Sequence, residues 1–584
     1  MAKSAAEVIV ETLAASGVKR IYGLPGDSLN GLTDAIRQHS EIQWVHVRHE
    51  EVAAFAAGAE AHLTGDLVVC AGSCGPGNLH LINGLYDCHR SRVPVLAIAA
   101  QIPSAELGTG YFQETHPEIL FKDCSYYCEL VSEPNNVPRI LGIAMRTAIT
   151  RRGVAVIVAP GDVLLGDCPV TPSALKLCDP ASVFHPGEAD LVAAAKLLND
   201  AKKVTILGGA GCAGAHAQLI ELAGYLKAPI VHALRGKEYI EYDNPYDVGM
   251  TGLLGFSSGY YAMMNCEALL MLGTDFPYTQ FFPEKAKIIQ VDVRGEQIGR
   301  RTHVDLGLIG TVKDTIAALM PKLKKKKDTG HLKTSVDHYK KARTGLDELA
   351  TGEPGKTPIH PQYVARLVDE LAAEDAVFTC DVGSPTVWAA RYLHMNGKRS
   401  LLGSFVHGSM ANAVPQGIGA QAAYQNSSGR DSGGRARQVV ALAGDGGLAM
   451  LLGDLLTLKQ MKLPVKVIVF NNSALGFVEL EMKAAGFLDF GTNLENPSFA
   501  EIAKACGFLG LRVELPEHLP GALQQAFAYD GPALVDVVVN RQELSMPPTI
   551  KLEQATGFGL YIMKAVMNGR ADEVIDLAKT NLFR

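Results

Sequence analysis

Two apolar runs in the C-terminal third of the chain, each followed by polar residues, constrain the fold more than any other feature. The run at 439–443 ends in the tetrapeptide GDGG (444–447), and the run at 467–470 ends in two asparagines. An amphipathic segment joins the two runs, so the pattern predicts a strand, a helix and a second, parallel strand. Asp445 and Asn472 should then both emerge at the carboxyl edge of the sheet, where parallel sheets bind ligands.

The residue types at this edge suit a metal-bound diphosphate. A carboxylate from Asp445 and an amide oxygen from Asn472 are ligands for Mg²⁺, which commonly shares its coordination with phosphates. Gly446 and Gly447 let backbone N–H groups approach a diphosphate closely. A glycine-rich turn without any ligand is the commoner meaning of GDG alone, and it is the asparagine pair one βαβ unit later that favours a cofactor.

The length of 584 residues is too great for a single core. Alternating strand and helix patterns predict an α/β protein of three doubly wound parallel-sheet (Rossmann-like) domains, at 1–167, 184–330 and 359–540. A helical tail is predicted to follow at 541–584. The polar, Gly/Ser-rich segment at 424–437 predicts a surface loop to which we assign no function.

Composition narrows the function class. A net charge of −7 argues against nucleic acid as a partner. Eleven cysteines without a CxxC pair indicate reduced thiols and a cytoplasmic location. The N-terminus predicts an amphipathic helix rather than a signal peptide, and no apolar run is long enough to span a membrane.

The first domain carries three further motifs. An HE pair ending in Glu50 opens a predicted helix, where acidic residues usually serve the helix macrodipole. The turn GPGN stands at 75–78, and the tripeptide FQE stands at 112–114. His80 and His89 are expected to be buried, hydrogen-bonded histidines rather than functional ones.

Together with GDGG and the asparagine pair, these motifs resemble the thiamine-diphosphate (ThDP) enzymes of the pyruvate oxidase and acetolactate synthase branch. The resemblance implies that Glu50 hydrogen-bonds to N1′ of the aminopyrimidine ring, since a carboxyl shielded from water shares a proton readily with a weak ring base. It also implies that Asp445, Asn472 and the backbone carbonyl of Ala474 hold Mg²⁺. The other catalytic, substrate-facing residues that it implies are Phe112, Gln113, Phe477 and Glu481.

The same resemblance implies a set of residues around ThDP. In such enzymes a large apolar residue at the position of Met410 props the cofactor in a bent shape. The resemblance implies that the carbonyl of Gly408 accepts a hydrogen bond from the 4′-amino group. The complete implied set is Glu50, Val382, Gly408, Ser409, Met410, Asp445, Gly446, Gly447, Asn472, Ala474, Leu475 and Gly476.

The second domain contains a glycine-rich turn at 208–216 that lacks the GxGxxG spacing of a plain NAD site. Acidic Asp292 follows a predicted strand and suits a ribose hydroxyl. The segments resemble the FAD domain of pyruvate oxidases, and a cofactor-free spacer domain is the alternative. The implied FAD-binding residues are Gly209, Gly211, Thr251, Gly252, Leu253, Leu254, Thr274, Asp275, Phe276, Pro277, Tyr278 and Asp292.

The tail has apolar residues at helical spacing, among them Ile562, Val566 and Ile575, with basic residues beside them. This pattern fits either an ordinary docked helix or a helix lying in a membrane surface. The tail resembles that of quinone-reducing pyruvate oxidases, which implies binding to a phospholipid surface.

The resemblance as a whole implies oxidative decarboxylation of pyruvate to acetate and CO₂, with electrons passing through FAD to a membrane quinone. It implies peripheral association with the cytoplasmic face of the membrane. It further implies a homotetramer built as a dimer of dimers, in which Glu50 and Asp445 serve one cofactor from different subunits. The alternatives are acetolactate synthase-like 2-ketoacid ligation, a phosphate-dependent pyruvate oxidase that forms acetyl phosphate, and an inactive partner subunit.

Overall fold

A computed structural model describes residues 3–170, 172–174, 183–425, 436–544 and 552–582. Three six-stranded sheets, each parallel throughout, form the cores of three successive domains with helices on both faces. The predicted doubly wound α/β class is therefore confirmed. Most of the predicted surface loop at 424–437 lies outside the described residues.

The first domain has the strand order β3-β2-β4-β5-β7-β6, and a two-stranded antiparallel pair, β1 and β8, joins its ends. Its strands are β1 (Lys3–Ser4), β2 (Arg20–Gly23), β3 (Gln43–His46), β4 (Val68–Gly72), β5 (Val95–Gln101), β6 (Tyr127–Leu130), β7 (Val154–Pro160) and β8 (Asp167–Cys168). Its helices are α1 (Ala5–Ala15), α2 (Asn30–Gln38), α3 (Glu50–Thr64), α4 (Pro76–Ser91), α5 (Pro117–Leu120), α6 (Val137–Arg151) and α7 (Gly161–Leu165).

The second domain has the strand order β11-β10-β9-β12-β13-β14, the order of dinucleotide-binding domains. Its strands are β9 (Val204–Gly208), β10 (Ile230–His232), β11 (Asp247–Met250), β12 (Ala268–Leu272), β13 (Lys287–Asp292) and β14 (Leu306–Ile309). Its helices are α8 (Glu188–Asp200), α9 (His216–Leu226), α10 (Lys237–Ile240), α11 (Ser257–Met264), α12 (Val312–Leu319) and α13 (Gly330–Leu349). Helix α13 was not predicted from the sequence, and its Tyr339 makes an edge contact with Phe256, the residue just before α11.

The third domain repeats the strand order of the first, with β16-β15-β17-β18-β20-β19. Its strands are β15 (Val377–Cys380), β16 (Ser400–Gly403), β17 (Val439–Gly444), β18 (Lys466–Asn471), β19 (Leu509–Val513) and β20 (Ala533–Val538). Its helices are α14 (Pro361–Leu371), α15 (Ser384–Tyr392), α16 (Ala413–Gln425), α17 (Asp445–Met450), α18 (Leu455–Gln460), α19 (Gly476–Ala484), α20 (Phe499–Ala505) and α21 (Leu519–Ala528). The predicted βαβ arrangement around GDGG is present, because β17 and β18 are adjacent and parallel.

The first and third domains meet at two topologically equivalent helices, α3 and α16. The helices pack so closely that a Cβ atom added at Gly419 would lie 1.9 Å from the carbonyl oxygen of Ala56. Buried residues of both domains, such as Ala57 and Ile418, belong to one continuous apolar core. This contact brings the N-termini of the two helices, and the loops before them, into the same region.

The tail forms two helices, α22 (Leu552–Met567) and α23 (Ala571–Leu582). Tyr561 and Ala565 are fully buried, and Lys564 Nζ donates to the carbonyl oxygen of Gly486 at 2.8 Å, next to α19. The opposite side of the tail exposes Met563 and Met567. None of the described helices is both long enough and apolar enough to cross a bilayer.

Candidate active site

The HE corner is built by the start of α3. His49 caps this helix, and its Nδ1 accepts from the backbone N–H of Glu51 at 3.2 Å. Glu50 is 4% exposed, and its Oε2 lies 2.9 Å from Nδ1 of His80. The rings of His49 and His80 stack with centroids 4.3 Å apart. Burial and the neighbouring His80 lower the pKa of His49, so that ring is neutral at physiological pH.

The GPG turn touches both Glu50 and the FQE motif. A Cβ atom at Gly77 would lie 2.9 Å from Oε1 of Glu50, and one at Gly75 would lie 2.9 Å from Cβ of Gln113. Gln113 adopts φ of +61°, and its Oε1 accepts from the Cys74 thiol at 3.4 Å. Phe112 is 77% exposed. The turn thus links two of the residues that the sequence predicted to act together.

Asp445 lies at the carboxyl end of β17, at the start of α17. Its Oδ1 accepts from the backbone N–H of Gly446 at 2.9 Å, and its Oδ2 accepts from that of Ser473 at 2.7 Å. Oδ2 also accepts from the side chain of Asn496 at 2.8 Å. Burial raises the pKa of the Asp445 carboxyl, and a bound cation would lower it again. Oδ1 of Asn472 accepts from the N–H of Ala474 at 3.1 Å.

Glycines stand beside these predicted ligands at positions where a side chain would clash with its neighbours. A Cβ atom at Gly447 would lie 2.3 Å from Oδ2 of Asp381, and one at Gly476 would lie 2.6 Å from Nδ2 of Asn472. The N-termini of α15 and α19 both border a small cavity of about 30 Å³ beside Asn472, which suits an anion because helix N-termini carry unpaired N–H groups. This cavity is lined by Pro361, Ser384, Val387, Trp388, Asn472, Gly476, Phe477, Leu480, Val539, Asn540, Arg541 and Glu543.

The loop before α16 lies between this turn and the HE corner. Gly408 adopts φ of +86°, which favours glycine, and Ser409 and Met410 are half-buried. The side chain of Met410 reaches the GDGG turn, since its Cε would lie 3.4 Å from a Cβ atom at Gly446. On the other side, Asn83 of the first domain donates to Oγ of Ser409 at 2.9 Å.

A second contact joins the same two domains. Oδ1 of Asp454, in the third domain, accepts from the backbone N–H of Arg48 at 2.9 Å, two residues before Glu50. The structure therefore brings the HE corner, the 408–410 loop and the GDGG turn together at one interdomain cleft within a single chain.

Comparison with known proteins matches all three domains. Residues 3–119 match the "Thiamine pyrophosphate enzyme, N-terminal TPP binding domain", residues 191–319 the "central domain" and residues 381–537 the "C-terminal TPP binding domain" of the same family. A Bacillus subtilis protein, YdaP, which carries the name of a candidate thiamine pyrophosphate-containing protein, is 35% identical over 99% of both chains.

The chain belongs to the thiamine pyrophosphate enzyme family.

Two further relatives within this family have different activities. A pyruvate oxidase of Lactiplantibacillus plantarum is 29% identical, and the match covers 94% of this chain and 91% of the relative. An acetolactate synthase of Mycobacterium bovis is 30% identical, with coverage of 91% and 88%. The family is therefore shown, but these two relatives do not decide which of its reactions this chain catalyses.

The cleft fits ThDP with its metal. Asp445 would supply a buried carboxylate, Asn472 an amide oxygen and Ala474 a backbone carbonyl to Mg²⁺, while the N-termini of α15 and α19 would receive the diphosphate. Glu50 is buried where it can hold a proton against a ring nitrogen. When bound, ThDP supplies a thiazolium ring that accepts the electron pair left by decarboxylation. These individual residue roles remain predictions.

The second domain offers a separate cleft at the carboxyl edge of its sheet. A Cβ atom at Gly209 would lie 2.6 Å from Cβ of Thr274, and one at Gly211 would lie 2.6 Å from Cα of Gly273. The buried hydroxyl of Thr251 has no hydrogen-bond partner among the described residues. Asp292 is 4% exposed at the end of β13. A close backbone turn, an unsatisfied hydroxyl and a buried acid fit a dinucleotide such as FAD.

The contacts of several other predicted FAD residues do not point to a role in binding the cofactor. Asp275 pairs with Arg301, Nε to Oδ1 at 3.1 Å, which accounts for its charge. Phe276 packs against Tyr278 with ring centroids 5.4 Å apart. Leu253 is exposed.

Two of the predicted substrate-facing residues, Phe477 and Glu481, lie on α19. Phe477 lines the small cavity beside Asn472, and Glu481 is exposed one turn further along the helix. Three residues of the cleft were not predicted from the sequence to be functional: Asn83, Asn496 and His80. The sequence predicts His80 to be a buried, hydrogen-bonded histidine. The side chain of His80 is 44% exposed. Their roles depend on contacts between segments distant in sequence.

Proposed function

We propose that this chain oxidises pyruvate to acetate and CO₂ and passes the electrons through FAD to a membrane quinone. Pyruvate and water yield acetate, CO₂, two protons and two electrons, and a flavin accepts both electrons before the quinone does. The observation that carries the proposal is the position of the tail. It exposes an apolar surface and rests beside α19, the helix that bears Phe477 and Glu481.

The exposed tail surface fits a lipid acceptor environment. Met563, Val566 and Met567 are 60%, 52% and 84% exposed on α22, and Ile575 is 51% exposed on α23. Phe490, in the loop after α19, is 89% exposed. Apolar residues on one side of a helix with basic residues nearby favour a position in the membrane interface. A quinone dissolved in the bilayer would then be within reach of the protein.

Different residues of the chain would bind the cofactor and move the proton. Asp445, Asn472 and Ala474 would hold the metal and diphosphate, and Met410 would support the cofactor in its bent shape. Glu50, shielded from water, would hold the proton that moves to and from the ring nitrogen N1′. Gln113 and Phe477 would border the space occupied by pyruvate.

The direct test supplies purified protein with pyruvate, ThDP, Mg²⁺, FAD and a ubiquinone, with and without phospholipid vesicles. Acetate and quinol formed in equal amounts, at a higher rate with vesicles, support the proposal. Acetolactate formation would favour the second candidate, which the relationship to an acetolactate synthase brings into consideration. Acetyl phosphate formed only when phosphate is added would indicate the phosphate-dependent reaction.

A further inference from the structure

Asn83 lies between the two sides of the interdomain cleft. Its side chain projects from α4 of the first domain and contacts residues of both domains. Nδ2 donates to Oε1 of Glu51 at 2.8 Å and to Oγ of Ser409 at 2.9 Å, while Oδ1 lies 2.8 Å from Nε2 of His407.

The partners fix the orientation of the Asn83 amide. An ionised carboxylate only accepts hydrogen bonds, so the atom facing Glu51 must be the NH₂ group. The oxygen therefore faces His407, whose Nε2 must donate. Burial lowers the pKa of His407, so its ring is neutral and carries its single proton on Nε2. Tyr86 stacks on this ring with centroids 5.6 Å apart and holds it in place.

Two of the three contacts involve the predicted ThDP residues, since Ser409 belongs to that set and Glu51 adjoins it. Glu51 follows Glu50 at the start of α3, and Ser409 stands between Gly408 and Met410. We infer that Asn83 is a positioning residue that fixes the separation between Glu50 and the 408–410 loop, and thereby the width of the slot for the aminopyrimidine ring. The inference rests on the ThDP site of the proposed function, and it does not depend on FAD or on the electron acceptor.

The chemistry of the contact predicts how substitutions should act. Asn83→Ala removes all three hydrogen bonds, including the direct one from the first domain to Ser409, and leaves the stacking of Tyr86 on His407 in place. Asn83→Asp preserves the shape but places a second carboxylate against Glu51, and like charges at contact distance repel. Asn83→Asp should therefore widen the slot more than Asn83→Ala.

The test compares Asn83→Ala, Asn83→Asp and the milder Asn83→Ser with the full-length wild type. Asn136→Asp is the matched control, because Asn136 lies in the same domain and its side chain donates to the nearby Ser132 at 3.2 Å. Three quantities are measured: amide hydrogen exchange of segment 404–412 without cofactor, the dissociation constant of ThDP, and the rate of hydrogen–deuterium exchange at C2 of bound ThDP.

We expect faster amide exchange in segment 404–412 in the Asn83 variants, and C2 exchange that is slower by about 10- to 100-fold, as for a misplacement on the order of 1 Å. The ThDP dissociation constant should stay within about threefold of wild type, because Asn83 contacts none of the residues that would hold the diphosphate. C2 exchange within about twofold of wild type in every folded Asn83 variant would overturn the inference, as would equal effects in Asn136→Asp.

The two hypotheses fail differently. A wild-type protein that exchanges C2 rapidly but reduces no quinone would reject the proposed electron route and leave the role of Asn83 standing. A wild-type protein that reduces quinone, with Asn83 variants that exchange C2 normally, would reject only the role of Asn83.

Discussion

Oε2 of Glu50 lies 2.9 Å from Nδ1 of His80, and Oε1 faces the GPG turn at Gly77. The carboxyl is 4% exposed, whereas the His80 side chain is 44% exposed. A buried acid that contacts a solvent-accessible imidazole has a route by which a proton can leave or enter. The resemblance predicts Glu50 as the acid at N1′, but nothing in the sequence predicts its contact with His80.

We expect Glu50→Gln to fold normally and to lower turnover by at least about 100-fold, because the amide cannot hold and release a proton at N1′. Steady-state acetate formation and the C2 exchange rate of bound ThDP measure the effect. Glu118→Gln, a change in the same domain on a half-exposed residue, is the control. Turnover near the wild-type value would reject the proton-relay role.

Asp445→Ala should weaken the Mg²⁺-dependent retention of ThDP by more than about 10-fold, because it removes the single carboxylate of the expected metal site. Equilibrium dialysis at varied Mg²⁺ measures the retention. Asp530→Ala removes an exposed carboxylate from the same domain and should leave retention unchanged. Equal affinity in Asp445→Ala and wild type would show that Asp445 is not a metal ligand.

The apolar side of the tail gives a third prediction. Replacing Met563 and Met567 together by Asp should lower vesicle binding by about 100-fold or more, because each methionine contributes about 1.5–3 kcal/mol when buried in the lipid boundary. Removal of the residues after Arg570 should abolish lipid binding and lipid stimulation. In both variants reduction of a soluble dye should persist.

Asn568→Asp is a charge control for this experiment: it adds one negative charge where the double variant adds two, and Asn568 is exposed beside Met567 and carries no apolar surface of similar size. Vesicle sedimentation at fixed lipid composition gives the bound fraction. Undiminished sedimentation of the double methionine variant would show that this surface does not meet lipid.

Asp87 predicts how stability depends on pH. Burial raises the pKa of Asp87 from 3.8 to about 6, although Ser404 Oγ donates to Oδ1 at 2.8 Å and Gln416 Nε2 to Oδ2 at 3.3 Å. Below pH 4 the group is protonated in both folded and unfolded chains and costs nothing. Between pH 4 and pH 6 the unfolded chain loses this proton while the folded chain keeps it, so stability falls progressively, and above pH 6 it is lower by on the order of 3 kcal/mol.

The neutral variant Asp87→Asn should therefore gain stability relative to wild type between pH 4 and pH 7. Denaturant midpoints at pH 4.5 and pH 7.5 measure this difference. A constant difference between the two proteins at both pH values would contradict the prediction.

A fifth prediction concerns whether the two sides of each cleft come from one subunit or from two. The contacts between Asn83 and Ser409 and between Arg48 and Asp454 join the two sides within one chain, and identical contacts form between chains when domains are exchanged. The family resemblance assigns the two sides to different subunits. We therefore expect co-expressed Glu50→Gln and Asp445→Ala chains to regain about a quarter of wild-type activity through mixed dimers. No recovery would assign each cleft to a single chain.

Much of the fold was predictable from the sequence, because buried parallel strands read as continuous apolar runs. The strands that carry GDGG, the asparagine pair and Asp292 lie where those runs predicted them. Short or mixed strands, such as Tyr127–Leu130 and Leu509–Val513, have half-exposed positions and gave no such signal.

The cleft was predictable only in part. Glu50 and Asp445 stood out because each follows an apolar run and opens a helix. Asn83, Asn496 and His80 gave no local signal, since an asparagine or histidine within a helix or loop is ordinary in sequence. Their partners lie 25 to 326 positions away along the chain. Only the packing of the domains reveals these contacts.

The lack of a side chain at Gly419, where α16 meets Ala56 of α3, makes the separation of the two helices a property of the backbone. Even one methyl group there would force the two helices apart and pull Glu50, at the start of α3, away from the 408–410 loop before α16. Phe112 and Glu481 are exposed and lie outside this contact, so they can change without disturbing it. A single glycine in the core, distant from the substrate, therefore sets how far apart the two halves of the cleft stand.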